Sequence, residues 1–304
     1  MRVISLLPGA TEMVAALGAL DALVGVTHEC DHPAEVRSRA RVTSTTVDVD
    51  APAGDVDAQV QALAAAGRPL FSLDEAGIRA LRPNLILTQA LCDVCAVSED
   101  DVRALAARLD PSPRLVTCAA TSLDGVLADV VAIGTALGCA DAADAWVAAA
   151  RGRMRTVHEA LKAARAPRPR VAVIEWGEPV YAAGHWVPEM IARAGGIDVL
   201  ASAGAHSVPV TVAAVRDAAP EVILFAPCGY DLPRAVAEGE RLLADPAWAW
   251  ARDRRCFALD ANALVSRPGP RLIDGVEVIA RCLTPSLFPA PGRTQARPLT
   301  PTAS

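Results

Sequence analysis

Residues Asp141–Ala166 read DAADAWVAAARGRMRTVHEALKAARA, a run without proline that Pro167 and Pro169 follow directly. The run predicts one continuous helix of about 39 Å, at about 1.5 Å per residue. The two prolines would end that helix. A helix of this length is a rigid connection, unlike a flexible glycine–serine linker. We therefore expect two lobes, residues 1–140 and 167–288, joined by a linking helix over residues 141–166.

The regions on either side of the helix alternate strand-like and helix-like segments. In the first region, strand-like Val3–Leu7 precedes helix-like Met13–Leu20, and Leu85–Thr88 and Leu115–Cys118 are later strands. The second region starts again with strand-like Arg170–Ile174. Strands that alternate with helices are typical of parallel, crossover-connected sheets. The sequence thus predicts an α/β fold with a parallel sheet in each lobe.

Composition limits the classes of partner. The chain has 304 residues, 52% of them hydrophobic, and a net charge of −6. No basic stripe indicates nucleic-acid binding, and no apolar run is long enough to insert in a membrane. Strand-like sequence from Val3 leaves no room for a signal peptide, so we expect a cytoplasmic protein if Met1 is the true start. The tail, residues 289–304, is rich in Pro, Thr, Ala and Arg, and we expect it to be disordered.

Potential soft-metal ligands follow the predicted strands, at the edge where parallel α/β sheets bind their ligands. They are His28, Cys30, Cys92, Cys95 and Cys228. Cys92 and Cys95 are spaced to bind one metal ion or to act as a redox pair, and burial of two small residues is the plain alternative. His28 and Cys30 are two apart on an extended segment and so point to the same side. Cys228 is either functional or a buried loop thiol.

Aromatic residues cluster after the strand at Arg170–Ile174. The chain has only five Trp and two Tyr, and Trp176, Tyr181 and Trp186 are among them, with His185 beside the last. Flat rings suit a flat macrocycle or a corrin edge, and an imidazole can ligate a metal centre. Packing within one lobe is the alternative.

Two arginines, Arg267 and Arg271, precede a predicted helix at Leu272–Leu283. They can hold a carboxylate, amide or phosphate at the edge of a ligand, or they form salt bridges between the lobes. No phosphate-binding glycine loop is present, and spacing suggests no Ser-His-Asp set. The sequence therefore offers little to support catalysis.

Several motifs together resemble the cobalamin-binding proteins of bacterial ABC importers, in the helical-backbone metal receptor superfamily. The motifs are VISLLPGATE at Val3–Glu12, LRPNLI at Leu81–Ile86, AGG at Ala194–Gly196 and SRPGPR at Ser266–Arg271. A leaderless branch of that family shares the further blocks HECDHP from His28, CDVCAV from Cys92, GHWVPE from Gly184 and PCG from Pro227.

The resemblance implies two Rossmann-like lobes, a long helix between them, and a ligand held in the interlobe cleft. It implies a binding protein for a small-molecule metal chelate, cobalamin or another corrinoid, with an ABC importer as partner. Importer components of this family dock through one surface glutamate on each lobe, and Glu12 and Glu189 are the matching candidates here.

Two other functions stay open from the residues. The first is a direct metal-ion site, for zinc or iron, or an iron–sulfur site built from Cys30, Cys92, Cys95 and Cys228, in a metal carrier, sensor or metalloenzyme. The second is a thiol-redox or corrinoid-processing enzyme that uses Cys92 and Cys95.

Overall fold

The computed structural model describes residues 1–90 and 97–299. The chain divides into two compact α/β units. The described residues of Met1–Ala120, Asp124–Ala149 and Pro268–Pro270 form unit 1, and those of Thr121–Leu123, Ala150–Arg267 and Arg271–Ser304 form unit 2. The predicted fold class, two α/β lobes with parallel sheets and a long helix, is confirmed.

Unit 1 is built on a five-stranded sheet in the order β3-β2-β1-β6-β7, with every pairing parallel. A two-stranded antiparallel ribbon, β4–β5, accompanies it. The strands are β1 (Val3–Ser5), β2 (Leu23–Val26), β3 (Ala40–Arg41), β4 (Thr43–Thr45), β5 (Phe71–Leu73), β6 (Leu85–Gln89) and β7 (Arg114–Cys118). The helices are α1 (Pro8–Ala16), α2 (Ala53–Ala65), α3 (Glu75–Leu81), α4 (Glu99–Ala107) and α5 (Leu123–Leu137), and α6 (Ala140–Ala163) begins in this unit.

The LRPNLI motif aligns β6 against β1. Arg82 ends α3 in the left-handed region, at φ 46°. Asn84 then exchanges hydrogen bonds with Arg2: its side-chain Oδ1 accepts from the Arg2 N–H at 3.0 Å, and its own N–H donates to the Arg2 carbonyl at 2.8 Å. These two bonds fix the register in which Val3 lies opposite Leu85.

Helix α6 runs without a break from Ala140 to Ala163, close to the predicted 141–166. Its buried residues recur every three or four positions, as a one-sided helix requires: Ala143, Val147, Ala150, Met154 and Val157. Ala140–Ala149 belongs to unit 1 and the remainder to unit 2. None of the helices in the described ranges is long and apolar enough to cross a membrane.

Unit 2 has a seven-stranded sheet in the order β11-β9-β8-β12-β13-β14, with β10 also paired to β8. The pairs among β10, β8, β12 and β13 are parallel, whereas β9–β8, β11–β9 and β14–β13 are antiparallel. The strands are β8 (Arg170–Gly177), β9 (Val180–Ala182), β10 (Ile197–Asp198), β11 (Val208–Pro209), β12 (Val222–Phe225), β13 (Arg255–Leu259) and β14 (Ala296–Leu299). The helices are α7 (Val187–Arg193), α8 (Val212–Asp217), α9 (Leu232–Ala244), α10 (Ala261–Leu264) and α11 (Leu272–Leu283).

The tail departs from the expected disorder. Ala296–Leu299 forms β14, which pairs antiparallel with β13 from Cys256↔Leu299 to Leu259↔Ala296. The prediction was wrong for these residues because it was drawn from composition alone. Ala296 and Leu299 are two buried apolar residues, and they cover the edge of the sheet.

Candidate functional site

The first predicted ligands, His28 and Cys30, follow β2 in unit 1. Cys30 is 1% exposed, and its Sγ lies 3.1 Å from Thr11 Oγ1. His28 Nδ1 lies 2.7 Å from Thr43 Oγ1, and its ring packs against Phe71 with 5.7 Å between centroids. Both side chains are thus held by local polar contacts within the unit.

The surroundings of the His28 imidazole favour its neutral form, which is the form that binds metals. Burial lowers its pKa, and the nearby charge of Arg41 lowers the pKa further. Its Nε2 is buried and has no hydrogen-bond partner among residues 1–90 and 97–299. Arg41 donates instead to the carbonyl oxygens of Thr27 and Cys30, both at 2.7 Å, and so orders the loop that carries the two predicted ligands.

The predicted four-cysteine site is only partly visible. Cys92 and Cys95 lie outside the described residues. Within the described ranges, no three His, Cys, Asp or Glu side chains are grouped to hold a metal ion. The thiols of Cys118, Cys256 and Cys282 are buried, and burial raises the pKa of each, to about 12 for Cys256 and Cys282. These three thiols are therefore poor nucleophiles at neutral pH.

Cys228 is exposed in the loop after β12 in unit 2. Its N–H donates to the Glu175 carbonyl at 2.9 Å, which keeps the loop beside the end of β8. Gly229 follows at φ 76°, a conformation that favours glycine. The Gly229 N–H donates to Ser266 Oγ at 3.3 Å. Gly229 thus allows the chain to turn tightly after Cys228.

Three aromatic side chains form an aromatic cluster, Trp176, Tyr181 and Tyr230, at the carboxyl end of β8. Trp176 pairs directly opposite Tyr181 across β8 and β9, so the two project to the same face. The rings of Trp176 and Tyr230 meet edge-on, with centroids 5.5 Å apart. The Arg234 guanidinium lies 3.9 Å from the centre of the Tyr230 ring. Both tyrosines of the chain thus belong to this cluster.

β8 also carries a polar network around Glu175. Ile174 and Trp176 both pack on the hydrophobic core that contains Phe225, and the pairing of β8 with β9 is irregular between them, at Glu175. Its Oε2 accepts hydrogen bonds from Ser207 Oγ at 2.7 Å and from the Gly184 N–H at 3.3 Å. Burial raises the pKa of this carboxyl, and the two hydrogen bonds partly offset the effect.

Two imidazoles stand next to this network in the sequence. His185 Nε2 and His206 Nδ1 are 3.3 Å apart, and the ring planes are nearly perpendicular at 89°. Burial lowers the pKa of His185, and proximity to His206 lowers the pKa further. We call His185 and His206 the histidine pair. Of the predicted group, Trp176 and Tyr181 therefore belong to the aromatic cluster, whereas His185 belongs to the histidine pair.

Trp186 does not fit the predicted contact with a ligand. Its side chain is 5% exposed, and its indole N–H donates to the Val265 carbonyl at 2.8 Å. The ring of His185 packs on it with 5.6 Å between centroids. Trp186 thus anchors the start of α7 in the core of unit 2, where an apolar ring with one satisfied donor is stable.

The two arginines flank the segment Pro268–Pro270. Arg267 and Arg271 are half-buried. Arg271 is the N-cap residue of α11, and its carbonyl accepts the Gly275 N–H at 2.9 Å. Its position before that helix agrees with the sequence prediction, and contact with a ligand stays a prediction for both arginines.

The glutamates expected to dock on a transporter have other surroundings. Glu12 is 3% exposed in α1, so its carboxylate is not on the surface. Glu189 Oε2 accepts the Leu123 N–H at 2.9 Å, and Oε1 lies 3.2 Å from the Arg193 guanidinium. Contact with a transporter stays a prediction for both glutamates. Glu189 caps the first turn of α5.

Sequence analysis missed Tyr230, Glu175, Ser207 and His206. Tyr230 had a signal, since it is one of two tyrosines and follows the Cys228-Gly229 turn. The other three come from the end of β8 and from the loop before β11. Only the pairing of β9 with β8 and β11 brings them together.

Comparison with solved structures shows the same fold in several bacterial binding proteins. A periplasmic heme-binding protein from Pseudomonas aeruginosa has a TM-score of 0.74 and 24% identity, with 99% of each chain covered. The periplasmic vitamin B12-binding protein BtuF of Vibrio cholerae has a TM-score of 0.65 and 22% identity, with 94% of this chain and 97% of that chain covered.

A curated relative has a comparable similarity in sequence. The uncharacterized ABC transporter substrate-binding lipoprotein YvrC of Bacillus subtilis is 25% identical over 300 residues, which cover 94% of this chain and 81% of the relative. The family profile described as periplasmic binding protein matches residues 3–262, most of the chain. The chain therefore belongs to the periplasmic binding protein family.

Proposed function

We propose that this protein binds a flat metal chelate, a haem or a corrinoid such as cobalamin, and delivers it to an ABC importer. The heme-binding and vitamin B12-binding proteins of the same fold support this ligand class. The relationship to an ABC transporter substrate-binding lipoprotein supports the importer as partner.

The aromatic cluster is the observation that carries the proposal. Trp176 and Tyr181 are only half-buried. The core of unit 2 therefore leaves part of each ring uncovered. They stand at the carboxyl end of β8, the edge at which open α/β sheets bind ligands. A conjugated macrocycle packs well on such rings, and Arg234 adds a cation beside them that suits the carboxylate or phosphate at a chelate's edge.

The proposal is tested by titrating the purified full chain with haem and, separately, with cyanocobalamin. Isothermal titration calorimetry with each chelate yields an affinity. Trp176→Ala should weaken binding about tenfold, which corresponds to roughly 1.4 kcal/mol. Trp250→Ala is the matched control, because Trp250 packs on the same hydrophobic core as Trp176 but stacks on Trp248 and not on a ring of the aromatic cluster.

Two results would count against the proposal. The first is an absence of measurable binding to both chelates. The second is an equal loss of affinity in both tryptophan variants, since a general loss of stability and not a contact would then explain the effect. Thermal melts of the two variants separate this second case from a local one.

A further inference from the structure

The histidine pair has the geometry of two ligands that share one metal ion. Zinc binds imidazole nitrogens at about 2.0–2.1 Å, so two nitrogens on one tetrahedral ion stand about 3.3 Å apart. His185 Nε2 and His206 Nδ1 are separated by 3.3 Å, with ring planes at 89°.

The backbone holds the two rings in this arrangement. His185 adopts the left-handed region at φ 54°, and its N–H donates to the Ala205 carbonyl at 2.6 Å. Its own carbonyl accepts the Gly204 N–H at 2.8 Å. The peptide of one histidine is thus bonded on both sides to the turn that carries the other. Trp186, whose indole N–H donates to the Val265 carbonyl, packs against the His185 ring.

From this geometry we infer that His185 and His206 bind a hydrated divalent transition-metal ion such as Zn²⁺. The two nitrogens occupy adjacent coordination positions, and water completes the shell. A planar tetrapyrrole leaves its metal two positions on opposite sides of the ring, so one such metal cannot take both nitrogens. The site is therefore separate from the proposed chelate function.

The test uses the full chain with Cys92→Ser and Cys95→Ser in the background, because those thiols are themselves soft ligands. After dialysis against a chelator, the protein is titrated with Zn²⁺ by calorimetry and with Co²⁺ by visible absorption. The parent of this series should bind one equivalent of each ion. His185→Asn and His206→Asn should each weaken binding by at least about tenfold, the scale that loss of even an outer-shell partner produces.

Asparagine is chosen because it tolerates the left-handed backbone at position 185. His158→Asn is the matched control, since His158 is exposed on α6 and should leave binding unchanged. Failure of the Cys-substituted parent to bind Zn²⁺, or equal affinity in the parent and in His206→Asn, would overturn the inference. Circular dichroism melts establish that each variant is folded. The haem and cobalamin titrations are independent of these outcomes, so the two proposals fail separately.

Discussion

Gly9, in the first turn of α1, lies against the backbone of Pro268 within unit 1. A Cβ at position 9 would stand 2.3 Å from the Pro268 carbonyl oxygen and 2.9 Å from its carbon. A Cβ at Gly269 would in turn lie 3.1 Å from the Gly9 Cα. Only glycine permits so close an approach of two main chains. The VISLLPGATE and SRPGPR motifs, which lie near opposite ends of the sequence, therefore pack against each other through these glycines.

Replacing Gly9 by alanine should destabilise unit 1. The new methyl group meets backbone atoms that cannot move aside, so we expect the free energy of unfolding to fall by about 1–3 kcal/mol, the usual cost of overpacking. Urea denaturation followed by circular dichroism measures it. Gly152→Ala is the control, because its nearest neighbour would be an Arg155 nitrogen 3.8 Å away. Alanine there should raise helix stability by up to about 1 kcal/mol. A Gly9→Ala protein as stable as the parent would contradict the packing role.

Glu189 gives a prediction that separates capping from docking. Its carboxylate accepts the Leu123 N–H at the start of α5, so Glu189→Ala should lower the free energy of unfolding by about 0.5–2 kcal/mol, as loss of an N-terminal cap does. Chemical denaturation measures the change. Glu240→Ala, on an exposed position of α9, should stay within about 0.5 kcal/mol of the parent. Unchanged stability in Glu189→Ala would leave docking as the better explanation of this residue.

The fold was predictable because its signals are local. The proline-free run before Pro167 predicted α6, and mostly apolar runs such as Val3–Leu7 predicted the central strands. The β14 strand was not predictable in this way. Its four residues, ARPL, have little strand character, and only the open edge of β13 gives them a partner.

The sequence predicted several residues of the candidate site but not how they are arranged in space. Trp176, Tyr181 and His185 were singled out as a group by their proximity in the sequence. In the structure Trp176 joins Tyr181 and Tyr230, whereas His185 pairs with His206. His206 and Ser207 reach the site because the strand that follows them, β11, pairs with β9. Their local sequence gives no indication of this long-range pairing.

Asp129 should make unit 1 less stable as the pH rises from about 4 to 7. Burial raises the pKa of this carboxyl to about 6, although the N–H groups of Ala119 and Ala120 donate to it. The unfolded value is about 3.9, so the folded protein binds the proton more tightly. The stabilisation is therefore complete below pH 4 and is lost as the pH rises through 6.

Asp129→Asn should remove this part of the pH dependence. We expect the difference in free energy of unfolding between the variant and the parent to shift in favour of the variant as the pH rises from 4 to 7. Urea titrations at several pH values measure the difference. Asp124→Asn, exposed on the same helix, removes the same formal charge and serves as control. Parallel profiles for Asp129→Asn and the parent would show that the carboxyl is solvated in solution.

The last prediction concerns β14. Leu299 is 6% exposed and belongs to the hydrophobic core of unit 2. It packs over Gly239 of α9, where a Cβ would come within 2.5 Å of the Leu299 side chain. Leu299→Ala leaves a cavity between β14 and α9, so the free energy of unfolding should fall by about 2–5 kcal/mol. Exposed Arg297, on the same strand, provides the control: Arg297→Ala should change stability by less than about 0.5 kcal/mol. Truncation after Phe288 should lower the melting temperature at least as much as Leu299→Ala, because it also exposes the edge of β13. If truncation leaves the melting temperature unchanged, β14 does not dock in solution and the originally expected disorder of the tail is right.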